Sequence, residues 1–108
     1  MTKTFWLSYD LGLNGDYNGL YTWLDSNQAK ECGDSLAVFK FEYEDDYVNE
    51  IKVDLKENVN FKSSDRVYLI FRDREDDNIV KGRFLIGRRK PAPWEGYSIG
   101  DEELHEDF

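Results

Sequence analysis

The chain has very few of the side chains that do nucleophilic or metal chemistry: 108 residues include one cysteine, Cys32, and one histidine, His105. A single cysteine forms no disulfide within the chain and no cysteine-based metal site. Because His105 lies in the acidic C-terminal segment, a Ser-His-Asp or Cys-His mechanism would require this residue to fold back onto the body. A phosphate-binding loop is also absent, since the turn at 12–15 lacks the lysine and hydroxyl residue that such loops carry.

Long hydrophobic runs are absent as well. No apolar stretch approaches the roughly 18 to 20 residues that a membrane helix needs. The short apolar patch after Lys3 is interrupted by Ser8 and Asp10 and does not read as a signal peptide. We therefore expect a cytoplasmic protein with no membrane contact. The chain is 40% hydrophobic and 16% aromatic, which predicts one folded domain over residues 1–99.

Charge is unevenly distributed. The formal net charge is −9, and residues 100–108 hold five acids and no base. We predict that this segment is a disordered acidic tail, and we consider that it folds over the basic run 81–90, which has five bases and no acid. An acidic balance opposes non-specific nucleic-acid binding, because phosphate neutralisation supplies most of that affinity.

The apolar pattern predicts four strands and two helices. Alternation at a period of two indicates strands at 4–11, 35–43, 66–72 and 79–87. Helical spacing predicts helices at 16–26 and from 46 to about 59, with Asp16 and Asp46 as N-caps. The first strand is apolar on one face and carries Trp6 on the other, so we expect it to be central and covered on both faces.

The order of elements is then β-α-β-α-β-β, which favours an α+β fold. We predict a four-stranded mixed sheet with two helices on one face. In this arrangement the first strand and the strand at 66–72 are adjacent and parallel. The alternative is a ferredoxin-like sandwich of order β-α-β-β-α-β, which requires two short strands within 30–43.

Carboxylates at the ends of these strands are the candidate metal ligands. Asp10 and Asp73 would lie together at the carboxyl ends of the two parallel strands. A Mg²⁺ ion needs only one or two carboxylates besides water and substrate phosphate. The competing interpretation is structural, since acids at such positions commonly cap helices and serve turns.

A basic and aromatic loop follows the last strand and provides the candidate binding residues: Arg88, Arg89, Lys90, Trp94 and Tyr97. Arginine beside aromatic rings suits phosphate or base contacts. The same residue types dominate protein–protein interfaces. The third possibility is that Trp94 and Tyr97 only cover the open face of the sheet while the bases remain in solvent.

Tyr9-Asp10 at the end of an opening strand, followed by a short loop and an amphipathic helix, resembles the small ferredoxin-like nucleases of the Cas2 and VapD type. The resemblance covers residues 4–26. It implies metal-dependent nucleic-acid cleavage, often in a dimer, with Asp10 in the catalytic role.

Two classes of function follow from these observations. The favoured one is a non-enzymatic protein-interaction module that binds a protein partner and uses no cofactor. A homodimer is a further possibility for its oligomeric state. The alternative is a Mg²⁺-dependent nuclease that uses Asp10 and acts on nucleic acid.

Overall fold

The computed structural model describes residues 1–98 and contains two helices and five strands. In chain order these are β1 (Thr2–Asp10), α1 (Tyr17–Ser26), β2 (Lys30–Gly33), β3 (Leu36–Glu42), α2 (Tyr47–Asn58), β4 (Arg66–Asp73) and β5 (Ile79–Ile86). The α+β class and both helices are confirmed. The predicted acidic tail at 100–108 and the domain boundary at 99 lie outside the described residues.

The strands form one open sheet in the order β2-β3-β1-β4-β5. Every neighbouring pair is antiparallel. The prediction of four strands in a mixed sheet is therefore wrong. The central position of β1 is confirmed, and so is its pairing with β4, in which Leu7 lies opposite Leu69.

The error arose in the short strand β2, whose four residues are all exposed. An exposed strand has no hydrophobic alternation, so the sequence predicts only the strand at 35–43 in this region and misses β2. The hairpin between β2 and β3 turns through Ser35, whose φ is 59°. Each helix joins two strands that run parallel to each other but are separated by a third strand. As a result, β1 and β4 are adjacent and antiparallel.

The core lies between the two helices and one face of the sheet. Every second residue of β1, β3 and β4 points into this core. Phe5, Phe39 and Leu69 are among these residues, and all three are buried. Trp23 of α1 packs edge-on against Phe39 at a centroid distance of 5.3 Å. Both helices contribute buried leucines to the same cluster, so both lie on this face.

Both helix N-caps are confirmed. The Asp16 carboxylate accepts a hydrogen bond from the Gly19 amide at 2.9 Å, and Asp46 accepts one from the Asn49 amide at 3.2 Å. An aspartate before a helix satisfies an amide that has no partner within the first turn. These two carboxylates therefore stabilise helix starts, as the sequence predicted.

Within residues 1–98, the opposite face of the sheet carries no helix. Trp6 on this face is 37% exposed, so the expectation that β1 is covered on both faces is wrong. Its apolar character instead comes from a cross-strand row in which Trp6 lies between Val38 of β3 and Ile70 of β4. Such directly opposed pairs stabilise an antiparallel sheet. Among residues 1–98, neither helix is long and apolar enough to span a bilayer.

Candidate interaction site

Two loops meet at the end of the sheet where β1 ends and β4 begins, and Asp65 joins them. The Asp65 side chain is almost completely buried, with 1% of its surface exposed. Its two carboxylate oxygens accept hydrogen bonds from the amides of Gly12 and Lys62, each at 2.7 Å. Lys62 also donates to the carbonyl of Asn14 across the same junction. This network fixes the loop that leads into β4.

A groove of about 910 Å³ lies beside this junction. Its walls are the loop before β4 and the segment that follows β5. We call it the arginine groove, and its lining residues are Ser63, Ser64, Asp65, Arg66, Gly87, Arg88, Arg89, Lys90 and Pro91. Gly87 has a φ of +74°, and an added Cβ would lie 2.5 Å from the Asp65 carbonyl oxygen. A glycine therefore allows the segment after β5 to approach β4 this closely.

The arginine groove has a surplus of positive charge. Of its two acidic neighbours, Asp65 is occupied by backbone amides, and Asp10 pairs with Arg66 at 2.9 Å. Within residues 1–98, Arg88 and Lys90 form no ion pair. Both side chains are exposed.

The groove continues onto the open sheet face over two aromatic rings. Tyr68 and Phe84 are opposite each other in the β4–β5 pair, with ring centroids 4.6 Å apart in an edge-on arrangement. The Arg89 guanidinium lies 5.9 Å from the Tyr68 ring and 5.7 Å from the Phe84 ring. These are cation–π distances. Arg89 therefore links the arginine groove to an aromatic surface.

Gly82 makes room for this aromatic pair. A Cβ at Gly82 would lie 2.0 Å from the Tyr68 hydroxyl oxygen, so the ring occupies the space that any other side chain would fill. Gly82 pairs with Ile70 in the ladder, two positions along from the Tyr68–Phe84 pair and therefore on the same face of the sheet. The glycine in β5 thus determines where the Tyr68 ring lies.

The structure separates the two candidate metal ligands. The Asp10 carboxylate lies at the Arg66 end of β4. Asp73 is the last residue of β4, roughly 24 Å away at about 3.4 Å per residue. The expected meeting of Asp10 and Asp73 is therefore wrong, because it assumed parallel strands. Among residues 1–98 no cluster of three or more His, Cys, Asp or Glu side chains is placed to hold a metal ion.

Asp73 instead takes part in an ion-pair cluster at the far end of β4. Lys81 contacts Asp73 at 3.0 Å and Asp76 at 2.9 Å. The hydrogen bond from Lys81, together with the Glu75 amide, holds the pKa of Asp73 below its usual value. The same two carboxylates, Asp76 first, raise the pKa of Lys81. This cluster is consistent with the structural interpretation of Asp73.

The predicted binding residues divide into two groups. Arg88, Arg89 and Lys90 line the arginine groove. Trp94 and Tyr97 are 71% and 86% exposed, lie in successive turns and are not part of the groove lining. The interpretation that they cover the open sheet face is wrong, because side chains this exposed bury little surface.

Three residues of the site were missed by sequence reasoning: Arg66, Tyr68 and Phe84. Arg66 and Tyr68 share the open face of β4, since residues two apart along a strand point the same way. That spacing is visible in the sequence. What was not visible is the antiparallel register that places Phe84 beside Tyr68 and the segment after β5 beside Arg66.

Comparisons with known proteins give no relative from which a role could be inferred. No protein-family model matches the chain, and neither the curated proteins nor the solved structures contain a significant match.

Proposed function

We propose that the protein is a non-enzymatic interaction module that binds an acidic segment of a protein partner in the arginine groove. The observation that carries this proposal is the convergence of Arg66, Arg88, Arg89 and Lys90 on one groove. Arg88 and Lys90 have no carboxylate partner within residues 1–98. Surplus cationic charge of this kind steers and orients an anionic partner.

The neighbouring aromatic surface favours a protein ligand. Arginine and tyrosine are enriched at the residues that dominate interface energetics. Tyr68, Phe84 and Arg89 form one contiguous cluster, which offers apolar contact area next to the charged groove. A polypeptide with acidic and apolar side chains matches both parts of this surface.

The architecture proposed for this module is a ferredoxin-like sandwich with one added strand. The first six elements follow the order β-α-β-β-α-β, and the sheet order β2-β3-β1-β4 is extended at one edge by β5. In this arrangement the added strand carries Phe84 and leads directly into Arg88, Arg89 and Lys90. The extra strand is therefore what builds the groove.

The test uses a labelled oligoglutamate peptide of about eight residues, a length typical of a strand. Its binding is measured by fluorescence anisotropy at low and at physiological salt. We expect the Arg88→Ala/Arg89→Ala double variant to bind at least about tenfold more weakly, since charge-assisted contacts are lost. The control variant is Lys56→Ala/Arg74→Ala, which removes the same formal charge on α2 and in the β4–β5 turn. It should bind nearly as well as the unmodified protein.

Two results would overturn the proposal. If both double variants weaken binding equally, the attraction is a property of overall charge and not of the groove. If a labelled oligothymidylate binds more tightly than the peptide and is lost in the Arg88/Arg89 variant, the ligand is nucleic acid. The Mg²⁺-dependent nuclease that uses Asp10 would then become the better hypothesis.

A further inference from the structure

β5 forms one edge of the sheet. It spans Ile79–Ile86 and is bonded only to β4 in the part of the chain that the structure describes. Its eight residues contain no proline and are rich in β-branched and large apolar types. Such an edge presents a row of backbone donors and acceptors that can pair with another strand. It is therefore a template for β-strand addition.

The two faces of β5 differ in chemistry. Val80 and Phe84 lie on the open face of the sheet, in line with Arg72 and Tyr68 of β4. Lys81 and Arg83 lie on the other face, opposite Phe71 and Leu69. A strand added along this edge would therefore place alternate side chains beside Val80 and Phe84 on one face and beside Arg83 on the other, where Lys81 is already paired with Asp73 and Asp76. Acidic and apolar residues would have to alternate in it.

The charges on this edge argue against a second copy of β5 as the occupant. An antiparallel β5–β5 pairing would bring Lys81 and Arg83 of two copies close together, and like charges in register destabilise a sheet. Lys81 is already held by Asp73 and Asp76. Arg83 donates to the carbonyl of its neighbour Gly82 at 2.7 Å and has no carboxylate partner within residues 1–98, so an incoming carboxylate can form an ion pair with it.

The end of β5 continues directly into the arginine groove. Gly87 turns the chain, and Arg88, Arg89 and Lys90 follow it. A peptide paired along β5 would reach this groove with its terminal residues, and a carboxylate there would meet Arg88 and Lys90. Strand edge and groove thus form one continuous surface.

We propose that the partner segment binds as a sixth strand, an extended peptide of alternating acidic and apolar residues paired along β5 with one acidic end in the arginine groove. This inference rests on the proposed function and specifies the ligand's pattern and conformation.

The experiment compares three labelled peptides of about eight residues, matched to a typical strand, on the full-length protein. The first alternates Glu and Val. The second has the same composition arranged as a block of Glu followed by a block of Val. The third is the alternating peptide N-methylated at every second residue, in the register that removes its ladder donors. Affinity is measured by anisotropy, and the bound state by amide hydrogen exchange.

We expect the alternating peptide to bind best, with the block and N-methylated peptides at least about tenfold weaker, since main-chain bonds supply affinity and alternation supplies specificity. Binding should slow amide exchange within Ile79–Ile86. The Arg83→Ala variant should weaken the alternating peptide by several-fold and leave oligoglutamate nearly unchanged. Sedimentation at increasing protein concentration checks for pairing between copies.

The outcomes separate this inference from the proposed function. If all three peptides bind equally and the Arg88→Ala/Arg89→Ala variant still abolishes binding, strand addition is wrong and the groove proposal stands. If none of the acidic peptides binds, the proposed function fails together with this inference. If β5 is protected only as the protein associates with itself, the occupant of the edge is a second copy and the sixth-strand proposal is overturned.

Discussion

The two ends of β4 have similar side chains but opposite charge balance. At the far end, Lys81 is held by two carboxylates, Asp73 and Asp76. At the near end, Arg66 has one carboxylate partner, Asp10, and three further cations line the same groove. The far end is a closed ion-pair cluster, whereas the near end keeps positive charge exposed. The balance of charge at each end, more than the presence of charged residues, distinguishes the arginine groove from the ion-pair cluster at the far end.

The near end is also more firmly built. Buried Asp65 joins the loop after β1 to the loop before β4 through two amides. At the far end, the turn between β4 and β5 is exposed and contains two residues with positive φ, Asp77 and Asn78. The difference fits the proposed role of the groove, because a binding site that is already ordered loses less conformational entropy when a ligand binds.

The largest effect is expected at Asp65. Replacing it with alanine removes two charge-assisted hydrogen bonds and leaves the amides of Gly12 and Lys62 without their acceptors. We expect Asp65→Ala to lower the free energy of unfolding by about 3 kcal/mol, measured by urea denaturation. The matched variant is Asp76→Ala at the far end, where the carboxylate is 54% exposed and the loss should stay below about 1 kcal/mol. Equal losses in the two variants would show that the near end has no special rigidity.

A smaller effect is expected at Gly82. The Gly82→Ala variant must displace the Tyr68 ring, which lies where the new Cβ would go. We expect a loss of about 2 kcal/mol in the free energy of unfolding, typical of an overpacked site. Binding of oligoglutamate should weaken by several-fold, because Arg89 loses one of the two rings beneath it.

Gly33→Ala is the control for this prediction. Gly33 also lies in an edge strand, β2, but its Cβ would meet Leu36 at an ordinary 3.7 Å. Its stability should change by no more than about 0.5 kcal/mol. If Gly82→Ala unfolds no more easily than Gly33→Ala, the Tyr68 ring has another low-energy position and does not depend on the glycine.

The same contrast explains how much the sequence reveals. Strands β1, β3, β4 and β5 and both helices follow from apolar periodicity and from capping by Asp16 and Asp46. β2 does not, because an exposed edge strand buries nothing and leaves no periodic signal. The missing strand changed the direction of β4 relative to β1. In the observed direction, the residue of β4 that lies beside Asp10 is Arg66 and not Asp73.

The candidate site was half visible for the same reason. Arg88, Arg89 and Lys90 are consecutive, so their shared location needs no knowledge of the fold. Their partners Arg66 and Tyr68 lie on β4 and Phe84 lies on β5, and only the β4–β5 register brings the two strands' side chains together. A local cluster of charges is readable from a sequence, whereas the aromatic surface beside it depends on long-range pairing.

The smallest effect concerns the pH dependence of the far-end cluster. The hydrogen bond from Lys81 lowers the pKa of Asp73 below its ordinary 3.8. A lowered pKa in the folded state means that this carboxylate contributes stability above the unfolded pKa. That contribution is lost as the pH falls through the folded value. We therefore expect the free energy of unfolding to decline less steeply below about pH 4 in Asp73→Asn than in the unmodified protein.

Removing the partner tests the cause of this pH dependence. In the Lys81→Gln variant, too, the free energy of unfolding should decline less steeply below about pH 4, because the Asp73 carboxylate then loses the hydrogen bond that lowers its pKa most. Adding Asp73→Asn to Lys81→Gln should change the pH dependence of the free energy of unfolding little further, as expected for two residues that act through one contact. If the two substitutions instead have additive effects on the pH dependence of the free energy of unfolding, the low pKa of Asp73 does not come from Lys81. The far end would then not be the closed ion-pair cluster that sets it apart from the arginine groove.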